Sequence, residues 1–522
     1  MSAKFKPLLL ATEIRNPSRF PNFLESLFLQ DGNILNKKTI KNVYLDLISK
    51  GYFRPTRYGT DEFKELIYEK WNTGETLTLQ ESEKIYKLNP QRHGQAGFDY
   101  GWCSRWKTHY FIFKRFGFVD FTYQNDLEEP DRESDVENYK EYRRNSIPLT
   151  FTEAGKRFVK SDNDSEKTAL YINGFVRMYR GILTEDLNKN IPLTLLLKTL
   201  KLLIEENDKG ISNYELLIWG HWKNNNADEL FESIQTFRSR YGSDPSFEQI
   251  EEFCRNEVIE GDIKRNLRGS GYIDNYKRYL HLTGLFTIRG AGRYLSLNKD
   301  SIKVIDYLIK NYSDFIEFNN EDEYLNYLQK IDEKIVELVV DQEVTQPKRD
   351  HKLSEVYERF GQETIEKELI NLINYKDYSS DPVIRTLDDP KRLEFLSSLF
   401  LFSKFPEAKV KPNYIPDDEG IIQSFAPNGI GDIVVELDDE NAILYEVTMK
   451  RGTVPQEQSI ASAVRHLIEL REDFPSAIAI IIAPTIHFDT MLKVDMVPSR
   501  SYIDLEQGAI QALTIEEFVK SA

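Results

Sequence analysis

Hydrophobic and polar positions near the C-terminus follow the pattern of two short strands. Apolar residues dominate 433–437 and again 442–447, and the four polar residues 438–441 separate the two runs. Apolar runs joined by a short polar stretch predict a β-hairpin. A carboxylate, Asp432, opens the first run, and another, Glu446, lies inside the second. An unpaired charge in a buried strand costs several kcal/mol, so Glu446 calls for a chemical explanation.

Helical patterns flank this hairpin. The sequence LDDPKRLEFLSSLFLFSKF predicts a helix with Asp388 or Asp389 as N-cap and Pro390 in the first turn. A second helix is expected from about Pro455, and the apolar run 477–484 predicts a buried strand. Strands that alternate with helices indicate a sheet covered on its faces. We therefore expect an α/β domain over residues 381–522.

The middle of the chain has a different pattern. Over 301–380, apolar residues recur at spacings of three and four among many charges, which predicts a helical linker. Upstream, the segments 146–161 and 280–298 echo each other: a strand-like piece, then Thr or Arg, a small residue and Gly, then Arg and an aromatic residue. This is typical of the tail of a winged helix. The alternative is two unrelated hairpins.

These patterns together predict a multidomain α+β protein. Its mainly helical N-terminal part would contain two winged-helix-like DNA-recognition subdomains, 1–165 and 166–300. The linker 301–380 would lead to an α/β domain at 381–522. Two cysteines among 522 residues argue against a disulfide framework and favour a reducing compartment. The apolar runs are too short for a signal peptide or a membrane span, so a cytoplasmic location is expected.

Charge is distributed unevenly along the chain. The net charge is −17, which by itself disfavours a polyanionic partner, yet residues 1–125 contain 19 Lys and Arg against 13 Asp and Glu. Within that part, 101–125 interleaves aromatic residues with cations, so Arg105 and Lys107 are candidate DNA contacts. A helix that buries its aromatic face is the alternative. Arg289 and Arg293 on the second expected wing are further DNA candidates.

The carboxylates of the hairpin form the candidate chemical site. Because Asp432 and Glu446 lie on adjacent strands, their oxygens can converge on one face, and oxygen-rich sites suit Mg²⁺. A bound cation would compensate the charge of Glu446. Thr448 lies two positions further along the same strand, on the same face. An isolated hairpin with a salt-bridged glutamate is the alternative to this metal site.

A carboxylate followed on the next strand by carboxylate-x-lysine is the general pattern of restriction-endonuclease-like nucleases, where the metal activates water for attack on phosphorus. Here Thr448 stands where the lysine is expected. Threonine carries no positive charge, so another residue must supply one. Lys450, Arg465 and His466 are the candidates.

The surrounding residues resemble a known family. The sequence APNGIGDIVVEL, followed by YEVTMKRG and VRHL, is similar to the cleavage domain of the AlwI family of type IIS restriction endonucleases, which includes the BstNBI-type nicking enzymes. The resemblance implies Asp432 and Glu446 as metal ligands and catalytic residues, assisted by Glu394 in RLEFLSSLFL. It also implies catalytic roles for Thr448, whose threonine is a family trait, and for His466. The domain at 381–522 would then be a restriction-endonuclease-like α/β nuclease domain.

The N-terminal sequence supports the same resemblance. LLLATEIRNPSRFPNFL is similar to the opening segment of the family, which implies DNA contacts by Arg15 and Arg19. One departure concerns an acidic residue that the family carries on the helix before the histidine. Glu457 is nine residues from His466, nearly opposite it on a helix, so the number of metal ions stays open.

The resemblance implies a type IIS restriction endonuclease or a site-specific nicking endonuclease, which binds a short asymmetric duplex site and cuts a few base pairs to one side with Mg²⁺. The expected partners are double-stranded DNA, a transient homodimer or a separate small cleavage subunit, and a separate DNA methyltransferase. A non-cleaving DNA-binding regulator and a structure-selective repair nuclease are the alternatives. The sequence leaves the recognition site and the cut offset open.

Overall fold

The structure is a computed structural model. It describes residues 4–10, 19–90, 102–121, 148–182, 187–206, 208–242, 245–260, 271–345, 351–373, 379–426, 429–451, 453–497 and 505–521. Arg15, a candidate DNA contact, lies outside these residues.

The helices of the described residues are numbered in chain order. They are α1 (Phe20–Phe28), α2 (Lys37–Ser49), α3 (Asp61–Asn72), α4 (Leu79–Leu88), α5 (Trp102–Arg115), α6 (Glu153–Lys160), α7 (Asp164–Val176), α8 (Pro192–Glu205), α9 (Glu215–His221), α10 (Ala227–Tyr241), α11 (Phe247–Phe253), α12 (Gly271–His281), α13 (Ile302–Tyr312), α14 (Glu321–Leu328), α15 (Glu333–Thr345), α16 (Leu353–Phe360), α17 (Gln362–Ile373), α18 (Asp389–Lys404), α19 (Thr453–Leu470), α20 (Phe488–Met496) and α21 (Ile515–Ser521).

The strands of the same residues are short. They are β1 (Val119–Asp120), β2 (Thr150–Phe151), β3 (Ile211–Ser212), β4 (Phe286–Arg289), β5 (Tyr294–Leu297), β6 (Lys409–Pro412), β7 (Ile415–Pro416), β8 (Ile422–Ser424), β9 (Ile433–Glu436), β10 (Ala442–Val447), β11 (Ile478–Ala483) and β12 (Ile510–Thr514).

The fold is mixed α+β and about 55% helical, with a sheet-containing C-terminal region. The chain divides into two units: Met1–Arg57 with Leu79–Val344, and Tyr58–Thr78 with Thr345–Ala522. The finer division into 1–165, 166–300, 301–380 and 381–522 stays a prediction. None of the described helices is long and apolar enough to cross a membrane.

The first unit repeats one order of elements. Helix α1 is followed by a bridge residue, Ile34, then by α2, later by α5, and finally by the paired strands β1 and β2. Helix α8 is followed by β3, α9, later α12, and the hairpin of β4 and β5. In both cases the last strand, β2 or β5, lies between the two other strand segments of its small sheet. Ile34 bridges Pro148 beside β2, and β3 pairs with β5, all antiparallel.

The first of the two echo segments differs from the expected hairpin. Thr150 and Phe151 form a strand, but Glu153–Lys160 is a helix. Thr152 begins this helix because its hydroxyl oxygen accepts a hydrogen bond from the backbone N–H of Gly155 at 3.1 Å. The second echo segment does contain a hairpin, β4 and β5, with residues 290–292 in its turn at positive φ.

The core of the second unit is a five-stranded sheet in the order β12-β11-β10-β9-β6. Strands β10, β11 and β12 are parallel, while β9 pairs antiparallel with both β10 and β6. The parallel connections pass through helices, as parallel pairs require. The expected hairpin is therefore part of a larger mixed sheet, which β6 and β12 extend at the two edges.

Side chains alternate between the two faces of this sheet. Leu444 packs with Ala463 and Leu467 of α19, whereas the Tyr445 ring lies 6.0 Å from the ring of Phe518 in α21. Because the side-chain period of a strand is two, Glu446 points to the same face as Leu444. Both faces are covered by helices, so a charged residue in the middle strand is enclosed.

Helix α18 is positioned by its first turn and by a buried ion pair. The Asp388 carboxylate accepts the backbone N–H of Lys391 at 2.9 Å, which caps the helix. Arg392, buried, donates to Glu368 of α17 at 2.7 Å. Breaking a buried pair of this kind leaves an uncompensated charge, so the two helices are fixed side by side. This fixes the position of Glu394, two residues further along.

Candidate active site

Asp432 and Glu446 lie opposite each other at one end of the sheet. The register that pairs Ile433 with Tyr445 places Asp432, one residue earlier, beside Glu446. The Asp432 Oδ2 accepts the backbone N–H of Val447 at 2.8 Å. This bond ties the partly buried carboxylate to the strand that carries Glu446. The convergence that the sequence pattern predicts is thus present in the backbone.

Glu394 approaches the same place from helix α18. Its side chain is buried, and its carboxylate accepts the backbone N–H of Ala426. The other oxygen, Oε1, has no hydrogen-bond partner among the described residues. A buried carboxylate oxygen without a donor is costly, so it marks a place where a cation or a donor would stabilise the protein.

The three carboxyl groups act on one another electrostatically. Burial raises the pKa of Glu394 well above its usual range, and the charges of Asp432 and Glu446 raise it further. Burial, followed by the charge of Glu446, raises the pKa of Asp432 to about 8. Burial and repulsion between neighbouring carboxylates both disfavour the charged forms. A bound divalent cation would offset both effects.

His466 from α19 contacts Glu446 directly. Its Nδ1 and the Glu446 Oε1 are 2.6 Å apart, and both side chains are largely buried. The hydrogen bond to Glu446 raises the pKa of His466, against the lowering effect of burial. The Nδ1–H therefore donates to the carboxylate, and the imidazolium compensates part of the negative charge.

Among the described residues, the other candidates around the strand make their hydrogen bonds away from the carboxylates. Strand β10 ends at Val447, and the Thr448 hydroxyl oxygen accepts the backbone N–H of Lys450 at 3.1 Å in a local turn. Lys450 is exposed. Arg465 is exposed and donates to Ala461 and Ser462 of its own helix.

Glu457, the residue of the family departure, pairs with the Lys493 ammonium of α20. The partner of the Glu457 carboxylate is therefore Lys493, and not the candidate site around Asp432 and Glu446. An acidic contribution from Glu457 to the candidate site gains no support from this arrangement.

Two residues of the site were not singled out from the sequence. Lys391 precedes Glu394 by three positions on α18, so the two share a face of the helix, and its charge lowers the pKa of Glu394. Gly431 lies against Glu446: a Cβ there would be 3.0 Å from Glu446 Oε1 and 2.3 Å from Leu444 Cδ1. The spacing of three before Glu394 and the glycine before Asp432 are the signals that could have identified them.

The donor set fits a hard divalent cation in kind. Asp432, Glu446 and Glu394 offer carboxylate oxygens, one of them orphaned, as Mg²⁺ prefers. In the part of the chain that the structure describes, no three His, Cys, Asp or Glu side chains are close enough together to hold a metal ion. The distances between the three carboxylates therefore do not by themselves define a metal centre.

The candidate DNA contacts lie in the first unit. Arg19 is the N-cap residue of α1 and makes no side-chain capping bond. Arg105 and Lys107 lie in α5, where the structure describes their backbone but not their side chains. The aromatic residues between them and the helix end serve the core: Trp106 and Tyr110 are buried and stack at 4.1 Å.

The remaining two candidates flank the turn of the β4–β5 hairpin. Arg289 ends β4 and is half-buried, and Arg293 is exposed in the turn. The backbone of the turn is held from outside the hairpin, since the Asn213 N–H donates to the Arg293 carbonyl at 3.1 Å. An exposed cation on a fixed turn, such as Arg293, is suited to phosphate contact.

Comparison with known proteins gives a family match to part of the chain. Residues 138–347 match the model of the AlwI restriction endonuclease family. The resemblance of this chain to the AlwI restriction endonuclease family is therefore confirmed. Such a family implies a DNA nuclease.

The other comparisons add little to this match. No curated protein matches the chain. A solved structure, the small subunit (R.BspD6I2) of the heterodimeric restriction endonuclease R.BspD6I, is 22% identical over 30% of this chain and 75% of that chain, with a TM-score of 0.24. A TM-score this low does not establish a shared fold.

Proposed function

We propose that this protein is a type IIS restriction endonuclease or a site-specific nicking endonuclease that uses Mg²⁺. It binds a short asymmetric duplex site and hydrolyses a phosphodiester a few base pairs to one side. The observation that carries the proposal is the gathering of Asp432, Glu446 and Glu394 in a chain whose residues 138–347 match the AlwI family.

In this proposal the carboxylates of Asp432, Glu446 and Glu394 hold the cation. A bound Mg²⁺ supplies positive charge for the phosphate and lowers the pKa of water, which produces the nucleophile. The backbone bond from Val447 orients Asp432, and His466 holds a proton at Nδ1 against Glu446 Oε1. Thr448 closes the turn after the strand through its bond to Lys450.

Recognition is assigned to the first unit. The repeated order of helix, strand, helix, helix and two strands, with the last strand central, supports two winged-helix-like modules. The turn with Arg289 and Arg293 is the wing of the second module. Arg15, Arg19, Arg105 and Lys107 are the proposed phosphate contacts of the first.

One cluster of carboxylates serves one strand of the duplex. A double-strand cut then needs a transient homodimer or a separate small cleavage subunit, and a nicking enzyme needs neither. Host DNA would be protected by a separate methyltransferase. These partners, like a cytoplasmic location, are part of the proposal.

The test is incubation of plasmid libraries with the protein and Mg²⁺, followed by run-off sequencing of both strands. Breaks at a fixed offset from one sequence support the proposal, and breaks on one strand alone identify a nicking enzyme. Binding without breaks at any Mg²⁺ or Mn²⁺ concentration would point to a DNA-binding regulator. Breaks confined to branched DNA would point to a repair nuclease.

A double-strand cut that depends steeply on protein concentration at a single site would indicate the homodimer. Double-strand cutting that appears only when a second polypeptide is added would indicate a separate cleavage subunit.

A further inference from the structure

The strand that carries Glu446 lacks a cation where metal-dependent nucleases of this pattern have a lysine. Thr448 occupies the position, and its hydroxyl oxygen accepts a hydrogen bond from Lys450 N–H. Lys450 lies beyond the end of the strand and is exposed, and Arg465 bonds to its own helix, while His466 is held by Glu446 itself. The developing charge on a phosphate still needs compensation.

Lys391 brings a cation to the carboxylates from a different element. It lies in the first turn of α18, and its ammonium donates to the Gln423 carbonyl at 2.6 Å, 5.6 Å from the centre of the Phe425 ring. These contacts fix the direction of a long and otherwise mobile side chain. The residue is half-buried, so one side of it remains accessible.

The segment that holds Lys391 also holds Glu394. Gln423 accepts from the ammonium, and three residues later the Ala426 N–H donates to the Glu394 carboxylate. The Lys391 charge lowers the pKa of Glu394, while burial and the two other carboxylates raise it. The ammonium lies beside the acidic cluster because Lys391 and Glu394 are one turn apart on one helix face and both bond to the segment 423–426. It has three N–H donors, of which Gln423 uses one.

We propose that Lys391 replaces the lysine missing from the Glu446-Val447-Thr448 strand and presents its ammonium to the DNA phosphate beside the carboxylate cluster. This inference rests on the proposed nuclease function. It assigns to helix α18 both an acidic residue, Glu394, and the cationic residue of the site, one turn apart.

The experiment compares Lys391→Met and Lys391→Arg with the wild-type protein. Methionine keeps the length of the side chain without its charge, and arginine keeps the charge. The control is Lys404→Met, the same change in the last turn of the same helix. Three quantities are measured: single-turnover cleavage in Mg²⁺, Mn²⁺ affinity without DNA, and the thermal unfolding midpoint.

We expect Lys391→Met to cleave roughly 100-fold more slowly than wild type, as for loss of one preorganised charge-stabilising group. Its Mn²⁺ affinity should stay equal or increase, because a cation that repels the metal has been removed. Lys391→Arg should recover part of the rate. Lys404→Met should match wild type in all three measurements.

Two results would overturn the inference. One is wild-type cleavage by Lys391→Met. The other is a joint loss of Mn²⁺ affinity, thermal stability and cleavage in that variant, which would make Lys391 a support for the Gln423–Ala426 segment only. Absence of cleavage by the wild-type protein itself would instead overturn the proposed function, together with this inference.

Discussion

The Asp432 carboxyl group is held at an electrostatic cost. Burial and the charge of Glu446 raise its pKa to about 8, so the folded protein binds a proton there that the unfolded chain releases near pH 4. Between these values the native state holds more protons than the unfolded state, and stability falls as the pH rises. The ionised Asp432 carboxylate therefore lowers the free energy of unfolding most above pH 8.

From this we predict that Asp432→Asn abolishes cleavage and stabilises the protein. Asparagine removes the charge but keeps an oxygen for the Val447 N–H, so the gain is roughly 1–3 kcal/mol at neutral pH. The gain should be larger at pH 8.5 than at pH 5.5, as measured by thermal unfolding without divalent cations.

The matched control is Asp438→Asn in the turn between β9 and β10. Asp438 accepts backbone N–H groups of Glu440 and Asn441, which lower its pKa, so its loss should not stabilise the protein. An Asp432→Asn variant that is less stable than wild type at pH 8.5 would contradict the electrostatic account.

His466 gives a second prediction at the residue scale. Its pKa is raised because its Nδ1–H donates to Glu446, so the stabilisation from this pair is present at low pH and is lost as the pH rises through the raised value. Glu446→Gln removes the charge, and the titration midpoint of His466, followed by NMR, should fall towards or below the ordinary value of 6.5. A His466→Asn spectrum assigns the signal. An unchanged midpoint would show that Glu446 is not its partner in solution.

At the scale of elements, the position of β10 depends on the close approach of Gly431 to this strand. A Cβ at Gly431 would lie 2.3 Å from Leu444 Cδ1 and 3.0 Å from Glu446 Oε1, so the strand would have to shift. Small-to-large changes in packed sites typically cost about 1–3 kcal/mol. The position of the Glu446 carboxylate thus depends on a residue without a side chain.

We therefore predict that Gly431→Ala lowers stability by about 1–3 kcal/mol and reduces cleavage, because Leu444 and Glu446 are displaced. Leu444→Val removes the clashing methyl group. The double variant should lose less stability than the sum of the two single variants, as a double-mutant cycle in denaturant would measure. Strict additivity would argue against this contact.

The elements differ in how far local patterns predict them. Helix α18 begins as expected, because Asp388 caps it and Pro390 occupies its first turn. The sequence did not predict the helix Glu153–Lys160 that follows Thr152, since its eight residues look like the second half of a hairpin. Strand β6 was also not predicted: it is four residues long, contains Pro412, and is defined by its pairing with β9.

At the scale of the whole molecule, the proposed function places recognition and chemistry in different units of the chain. The AlwI-family match covers residues 138–347 and does not include Glu394, Asp432 or Glu446. A variant in the recognition unit should therefore lose DNA binding, whereas a variant in the carboxylate cluster should lose cleavage and keep DNA binding. The exposed Arg293 in the β4–β5 turn is suited to test this, because it lies far along the chain from Asp432.

We predict that Arg293→Ala weakens DNA binding and reduces the salt dependence of the affinity by about one counterion, without changing Mn²⁺ affinity. Asp432→Asn should show the opposite: wild-type affinity for the DNA site and no cleavage. Lys303→Ala, an exposed cation on α13 of the same unit, is the control. Equal salt slopes for Arg293→Ala and wild type would remove the turn from the DNA contacts.

The sequence by itself determined the local features: the hairpin around residues 438–441, the capped helix at Asp388, and the family to which the chain is similar. These follow from periodicity, capping and motif spacing, which act over a few residues. Only the tertiary structure decided which charges meet. Glu394, His466 and Lys391 reach Asp432 and Glu446 through strand register and helix packing across 76 residues of chain, and such long-range contacts leave no periodic signal in the sequence.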